Sequence, residues 1–138
     1  MTGDTSIPTR GTLERSLGQS IQGLYRSLLG NQASQALCNL VDNKLIIVIE
    51  NAITQPETLL VQNGQEDLAA QVRSQLQSVL ELRLKELIKQ VLGVGVTDLL
   101  SDATLETGRS GTIAILESAP KVRDASSKSK TQLAATEG

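Results

Sequence analysis

The sequence predicts an α+β domain: a four-stranded antiparallel sheet with helices packed on one face, in the order α-β-β-α-α-β-β. Three observations lead there. Leu13, Leu17, Ile21, Leu24, Tyr25 and Leu28 recur at three- and four-residue steps, and so does a much longer apolar series from Leu68 to Val91. Between these two helical patterns, Leu45-Ile46-Ile47-Val48-Ile49 is a run of pure strand character. Near the other end, the turn-rich stretch ETGRSG separates two further apolar segments.

Residues 1–11 carry Gly3, Pro8 and Gly11 with little apolar content and read as a flexible lead-in. The folded domain is expected over residues 12–119. Its first helix contains Gly18 and Gly23, each costing about 1 kcal/mol relative to Ala, so packing or a close backbone approach must compensate. Gly30 is placed to end it in the left-handed cap conformation. Residues 35–41 form a first strand, Asp42-Asn43 the turn, and residues 44–52 the second strand. In that second strand Leu45, Ile47 and Ile49 oppose Ile46 and Val48, so both faces are expected to be covered. Helices cover one; a second copy of the chain is the simplest cover for the other.

The strand stops because a helix starts. Thr54-x-x-Glu57 is a capping box, with Pro56 in the first turn where a missing N–H costs nothing. Asn63-Gly64 ends this short helix, and Glu66 and Asp67 favour the N-terminus of the next. That helix spans residues 65–92, roughly 40 Å at 1.5 Å per residue. Leu68, Val72, Leu76, Val79, Leu80, Leu84, Leu87, Ile88 and Val91 follow helical spacing, while Leu82 lies off the stripe and hints at a second contact surface. Residues 94–105 and 112–117 then form a second hairpin. After Pro120 apolar periodicity is lost, and residues 120–138 are expected to be a disordered tail.

Composition restricts chemistry. Tyr25 is the single aromatic residue, so the core is aliphatic and no ring platform exists for stacking bases. A net charge of −2 argues against a polyanion binder. With no histidine, the commonest general base and metal ligand are missing. Cys38, flanked by Ala36, Leu37 and Leu40, reads as a buried thiol. Gly108-Arg-Ser-Gly111 matches the KH-type GxxG loop only formally, because it joins strands where that loop joins helices. No Walker loop, paired CxxC or GxGxxG is present, and Arg83, Lys85 and Lys89 read as a solvated helix face. Glu57 is explained by capping, Asp102 as a solvated acid or hydrogen-bond partner, and Arg73 as a snorkelling or functional cation. The longest aliphatic run is too short to span a bilayer, and the N-terminus lacks the layout of a secretion signal. A cytoplasmic protein with no cofactor and no direct membrane insertion is expected, and not an enzyme.

Three stretches resemble the MpsC family, small proteins named for a sodium-translocating, membrane-potential-generating system. ITQPETLL (53–60) is similar to its Leu-Thr-x-x-Glu-x-x-Leu turn into a helix. NGQEDLAAQVRSQL (63–76) is similar to its glycine followed by Val-x-x-x-Arg, although Val72 and Arg73 are adjacent here. LLSDATLETGRSGTIAIL (99–116) is similar to its Asp, Thr-Gly and apolar closing strand. The resemblance covers residues 12–119. Where the family carries Gly-Arg-Gly-Pro after the first helix this chain has GNQA, keeping only Gly30, and its closing strand lacks the family's phenylalanine. The positions that match the pattern or its supporting turns are Gly30, Thr54, Glu57, Gly64, Arg73, Asp102 and Gly108. The resemblance implies a soluble accessory of a membrane cation or bicarbonate transport system. From the residues a homodimer is expected, and the resemblance implies a membrane transporter subunit as partner. The rival expectation is a small-molecule- or ion-sensing regulatory domain, or a weak enzyme, with a polar site near Gly30, Arg73 and Asp102.

Overall fold

The computed structural model describes residues 7–30 and 35–123. Residues 1–6 of the expected 1–11 lead-in and residues 124–138 of the expected 120–138 tail lie outside these residues. Seven elements follow one another as expected: α1 (Arg10–Leu29), β1 (Gln35–Val41), β2 (Lys44–Glu50), α2 (Gln55–Gln62), α3 (Glu66–Leu92), β3 (Val96–Thr104) and β4 (Arg109–Leu116). They form a four-stranded antiparallel sheet in the order β1-β2-β4-β3.

Local chemistry sets most of the boundaries. Thr9 caps α1 by accepting from the Thr12 N–H at 3.1 Å, so the helix starts at Arg10, ahead of the expected residue 12. Gly30 ends it at φ 69°. Asp42 (φ 56°) turns the first hairpin, and Asn43 ties that turn to the end of β4 through Leu116. Asn51, also at φ 56°, ends β2 at Glu50, two residues before the expected limit. In the second hairpin only Gly108 takes a positive φ, so the turn closes early and β4 begins at Arg109, where residue 112 was expected.

The core is aliphatic. Leu17, Ile21, Leu45, Ile47, Ile49, Leu80, Ile88 and Leu116 are fully buried between the helices and one sheet face. The apolar positions of α3 do not form a single stripe. Leu80, Leu84, Ile88 and Leu92 face the core with Ala69 and Arg73, whereas Leu68, Val79 and Leu82 are exposed. Helix α1 also shields the β1 edge. Glu14 Oε2 accepts from the Leu40 N–H at 2.7 Å, and a Cβ on Gly18 would lie 2.8 Å from the Ala36 carbonyl oxygen. That is the close backbone approach the helical glycine implied. Beyond β4, Val122 packs on the core and the Arg123 N–H donates to the Pro8 carbonyl at 3.0 Å.

The second sheet face is left open by the described residues. Register places Asn39, Ile46, Ile113 and Leu100 in one row and Leu37, Val48, Gly111 and Asp102 in the next. On β4 the small and polar Ser110, Thr112 and Ala114 point inward while Ile113 points out. Of the large apolar groups of β4, Ile113 is thus spent on the outer face while Leu116 stays in the core.

Candidate functional site

Two features stand out above the scaffold: a buried polar knot at one end of the sheet, and the open apolar face. The knot begins with the capping box at the start of α2. Thr54 Oγ1 accepts from the Glu57 N–H at 3.4 Å and donates to Glu57 Oε1 at 2.8 Å, and the Thr54 N–H donates to the same oxygen at 3.0 Å. Arg73, two turns into α3, then reaches the same carboxylate. Its Nη2 donates to Oε1 at 2.7 Å and its Nε to Oε2 at 2.8 Å, in the bidentate geometry that suits guanidinium and carboxylate. Glu57 is wholly inaccessible and Arg73 is 8% exposed.

The knot extends through the backbone. Arg73 Nη2 also donates to the Ala52 carbonyl at 3.2 Å, and the Ala52 N–H donates to the Gly108 carbonyl at 2.7 Å. One chain of hydrogen bonds therefore joins α3, α2 and the β3–β4 turn. Behind it, the buried Tyr25 hydroxyl hydrogen-bonds Ser110 and senses the charges of Arg73 and Glu57. Burial pushes the Tyr25 hydroxyl pKa up, against the opposing pull of Ser110 and Arg73. Burial alone would also raise the Glu57 carboxyl. The hydrogen bonds from Arg73 and Thr54 outweigh it and hold that carboxyl below its ordinary value.

Four of the seven singled-out residues, Thr54, Glu57, Arg73 and Gly108, therefore come together. The others do not join them. Gly30 lines a separate groove with Asn51, Ile53, Thr58 and Gln62. Gly64 (φ 76°) makes the turn between α2 and α3. Asp102 is exposed on β3, its Oδ1 accepting the Ala103 N–H at 2.8 Å, and it shares an open groove with the flank of Arg73, Ser74, Gln77 and Glu81. Tyr25 and Ser110 were not anticipated. The available signal was that a single tyrosine on an apolar helix stripe must find a partner for its hydroxyl.

With four hydrogen bonds on its two oxygens, the Glu57 carboxylate is committed to holding structure together. Arg73 Nη1 is buried with no hydrogen-bond partner among the described residues. Among those residues, no group of three His, Cys, Asp or Glu side chains is placed to hold a metal ion. No described helix is long and apolar enough to cross a membrane.

The open face has a different character. Leu37, Val41, Ile46, Leu100 and Ile113 are each at least 41% exposed. Polar groups rim them: Lys44, Asp98, Asp102, and the Arg109–Glu50 pair, whose Nε lies 3.0 and 2.9 Å from the two carboxylate oxygens. An apolar centre with a polar rim is how protein interfaces are built.

Residues 9–118 match the family model described as Na+-translocating membrane potential-generating system (MpsC), and the chain belongs to that family. No curated protein and no solved structure matches it.

Proposed function

We propose that this member of the MpsC family is a non-catalytic accessory protein, a homodimer that docks through its open sheet face onto a protein of a cation- or bicarbonate-handling membrane system. The observation that carries this reading is the apolar outer face. Its exposed residues sit in adjoining registered rows, and monomeric proteins seldom leave a contiguous apolar patch of that kind in water. Adding a strand at a sheet edge is the poorer alternative: α1 shields β1, and β3 carries an irregularity between Val96 and Asp98 together with two acidic residues. The family description, which names a membrane system, supports the class of partner.

The register favours a different protein over a second copy on this face. A two-fold axis along the strands would lay Leu37 against the partner's Asp102 and Leu100 against the partner's Asn39. One across the strands would lay Leu100 against the partner's Asp102 and Leu37 against the partner's Asn39. Either way, apolar groups meet polar ones.

The test uses tagged full-length protein, wild type and Ile46→Lys, as bait for detergent-solubilised membranes of the native cell. A transport-system membrane protein recovered by wild type and lost with Ile46→Lys supports the reading. Recovery of none, or equal recovery by both, overturns it.

One observation favours the sensing alternative: the unpartnered Arg73 Nη1 belongs to a residue that lines the groove beside Asp102. That reading predicts a thermal shift with some anion, nucleotide or cation, and a flat melting temperature across a broad panel would remove it.

A further inference from the structure

The exposed stripe of α3 has a symmetry of its own. Leu68, Val79 and Leu82 are 44%, 50% and 67% exposed, Gln75 is exposed, and Val72 is half-buried. Positions 68, 72, 75, 79 and 82 step by four, three, four and three, the spacing of a helix–helix seam. Leu68 and Leu82 each lie seven residues from Gln75, and Val72 and Val79 lie three and four residues from it, so a second helix running the other way about Gln75 matches like with like to within one residue. In that arrangement leucine meets leucine, valine meets valine and Gln75 meets its own copy.

We propose that α3 pairs antiparallel with α3 of a second copy about a two-fold axis at Gln75. Leu68 then packs on the partner's Leu82, and Val72 on the partner's Val79. Such self-complementarity is what an isologous contact requires, since each residue must suit its symmetry mate's position. Charge follows the same centre. Asp67 and Lys85 are exposed and eighteen residues apart, five full turns, so they share one flank of the stripe. Antiparallel pairing sets Asp67 beside the partner's Lys85 at both ends. The single polar residue in the seam, Gln75, fixes register because only this alignment lets two side-chain amides bond each other. At Glu86 the apolar spacing ends, which limits the seam to residues 68–82.

The inference rests on the homodimer part of the reading above and assigns that dimer a surface, leaving the sheet face for the other partner. Mass by light scattering at micromolar concentration is expected to be two chains for wild type and one for Leu82→Glu, with matching melting curves. A second variant, Gln75→Cys, is expected to give a covalent dimer on mild oxidation, while Ile113→Cys on the sheet face gives none; Cys38 is buried and stays silent. A two-chain mass that survives Leu82→Glu, or cross-linking through Ile113→Cys and not Gln75→Cys, overturns the helix pairing alone. A wild-type mass of one chain overturns the pairing and the homodimer together, and leaves the membrane-partner test standing.

Discussion

Arg73 and Glu57, sixteen residues apart, form a bidentate ion pair at 2.7 and 2.8 Å whose carboxylate is shut off from water. The pair bolts α3 to the start of α2, and through Ala52 it reaches the turn at Gly108. Charges taken out of water are costly, and a well-formed partner only offsets that cost. The pair therefore dictates which arrangement the elements adopt more than how stable the fold is.

Breaking the pair from one side should be severe. Arg73→Met leaves Glu57 buried without its counter-charge, a change worth about 3–5 kcal/mol in comparable pairs. Replacing both at once, Glu57→Leu with Arg73→Met, should cost far less than the two single losses added together. Urea denaturation of the four proteins checks this. Additive losses would mean that the two side chains do not act as a unit.

Acid should reveal Glu57. Its folded carboxyl lies below the ordinary value of 4.5, because the hydrogen bonds from Arg73 and Thr54 overcome the opposing effect of burial. Between the folded and unfolded values the unfolded chain binds more protons. The contribution is thus complete above 4.5 and is lost as pH falls through the lower folded value. Urea midpoints followed from neutral pH downward should drop for wild type, and drop less steeply for Glu57→Gln, which begins from a lower stability.

Much of this was legible locally, and the rest for identifiable reasons was not. Thr54-x-x-Glu57 is a signal within one turn, so the cap was readable. That the same carboxylate would receive Arg73 depends on how α3 folds back, and no spacing encodes it. The outer face of β2 was readable as apolar from Ile46 and Val48. The orientation of β4 was not, because inward Ser110 and Thr112 are tolerable only through Tyr25 and Ser101, their hydrogen-bond partners in the fold. Leu82 was visibly off the core stripe of α3. Leu68 and Val79 were not, since a three-and-four spacing fits the core-facing and the outward series equally well.

Two glycines in α1 should respond in opposite directions. A Cβ on Gly18 would sit 2.8 Å from the Ala36 carbonyl oxygen, so Gly18→Ala must push helix and strand apart. Gly23 has open space around it, and Gly23→Ala should stabilise by roughly 0.5–1 kcal/mol through helix propensity. Thermal melts of both variants check this, and a destabilised Gly23→Ala would contradict it.

Cys38 should resist thiol reagents in the native protein. Burial first, and the Glu14 carboxylate second, push its thiol from 9.0 up to about 12. Labelling by a chromogenic disulfide should therefore follow unfolding by urea, with negligible reaction beforehand. The sign for alkaline stability follows: stability is unaffected below 9.0 and declines above it, because only the unfolded chain readily gives up the proton.

Ile46 and Ile47 are neighbours in β2 that face opposite sides of the sheet, and they separate folding from docking. Ile47 is wholly buried. Ile47→Lys puts an unpaired charge among aliphatic side chains, a substitution of the class that costs several kcal/mol and unfolds marginal domains. Ile46 is 41% exposed, between Asn39 and Ile113. There a lysine can extend its head into water while its stem covers the strand, so Ile46→Lys should change stability by no more than about 1 kcal/mol. Yet it puts a charge at the centre of the apolar rows, where a docked protein would have to bury it. The expected outcome is a near-normal melting temperature with loss of membrane-partner capture. If Ile46→Lys instead destabilised the isolated chain as strongly as Ile47→Lys, the outer face would be part of the folding core, and its service as a docking surface would lose its physical basis.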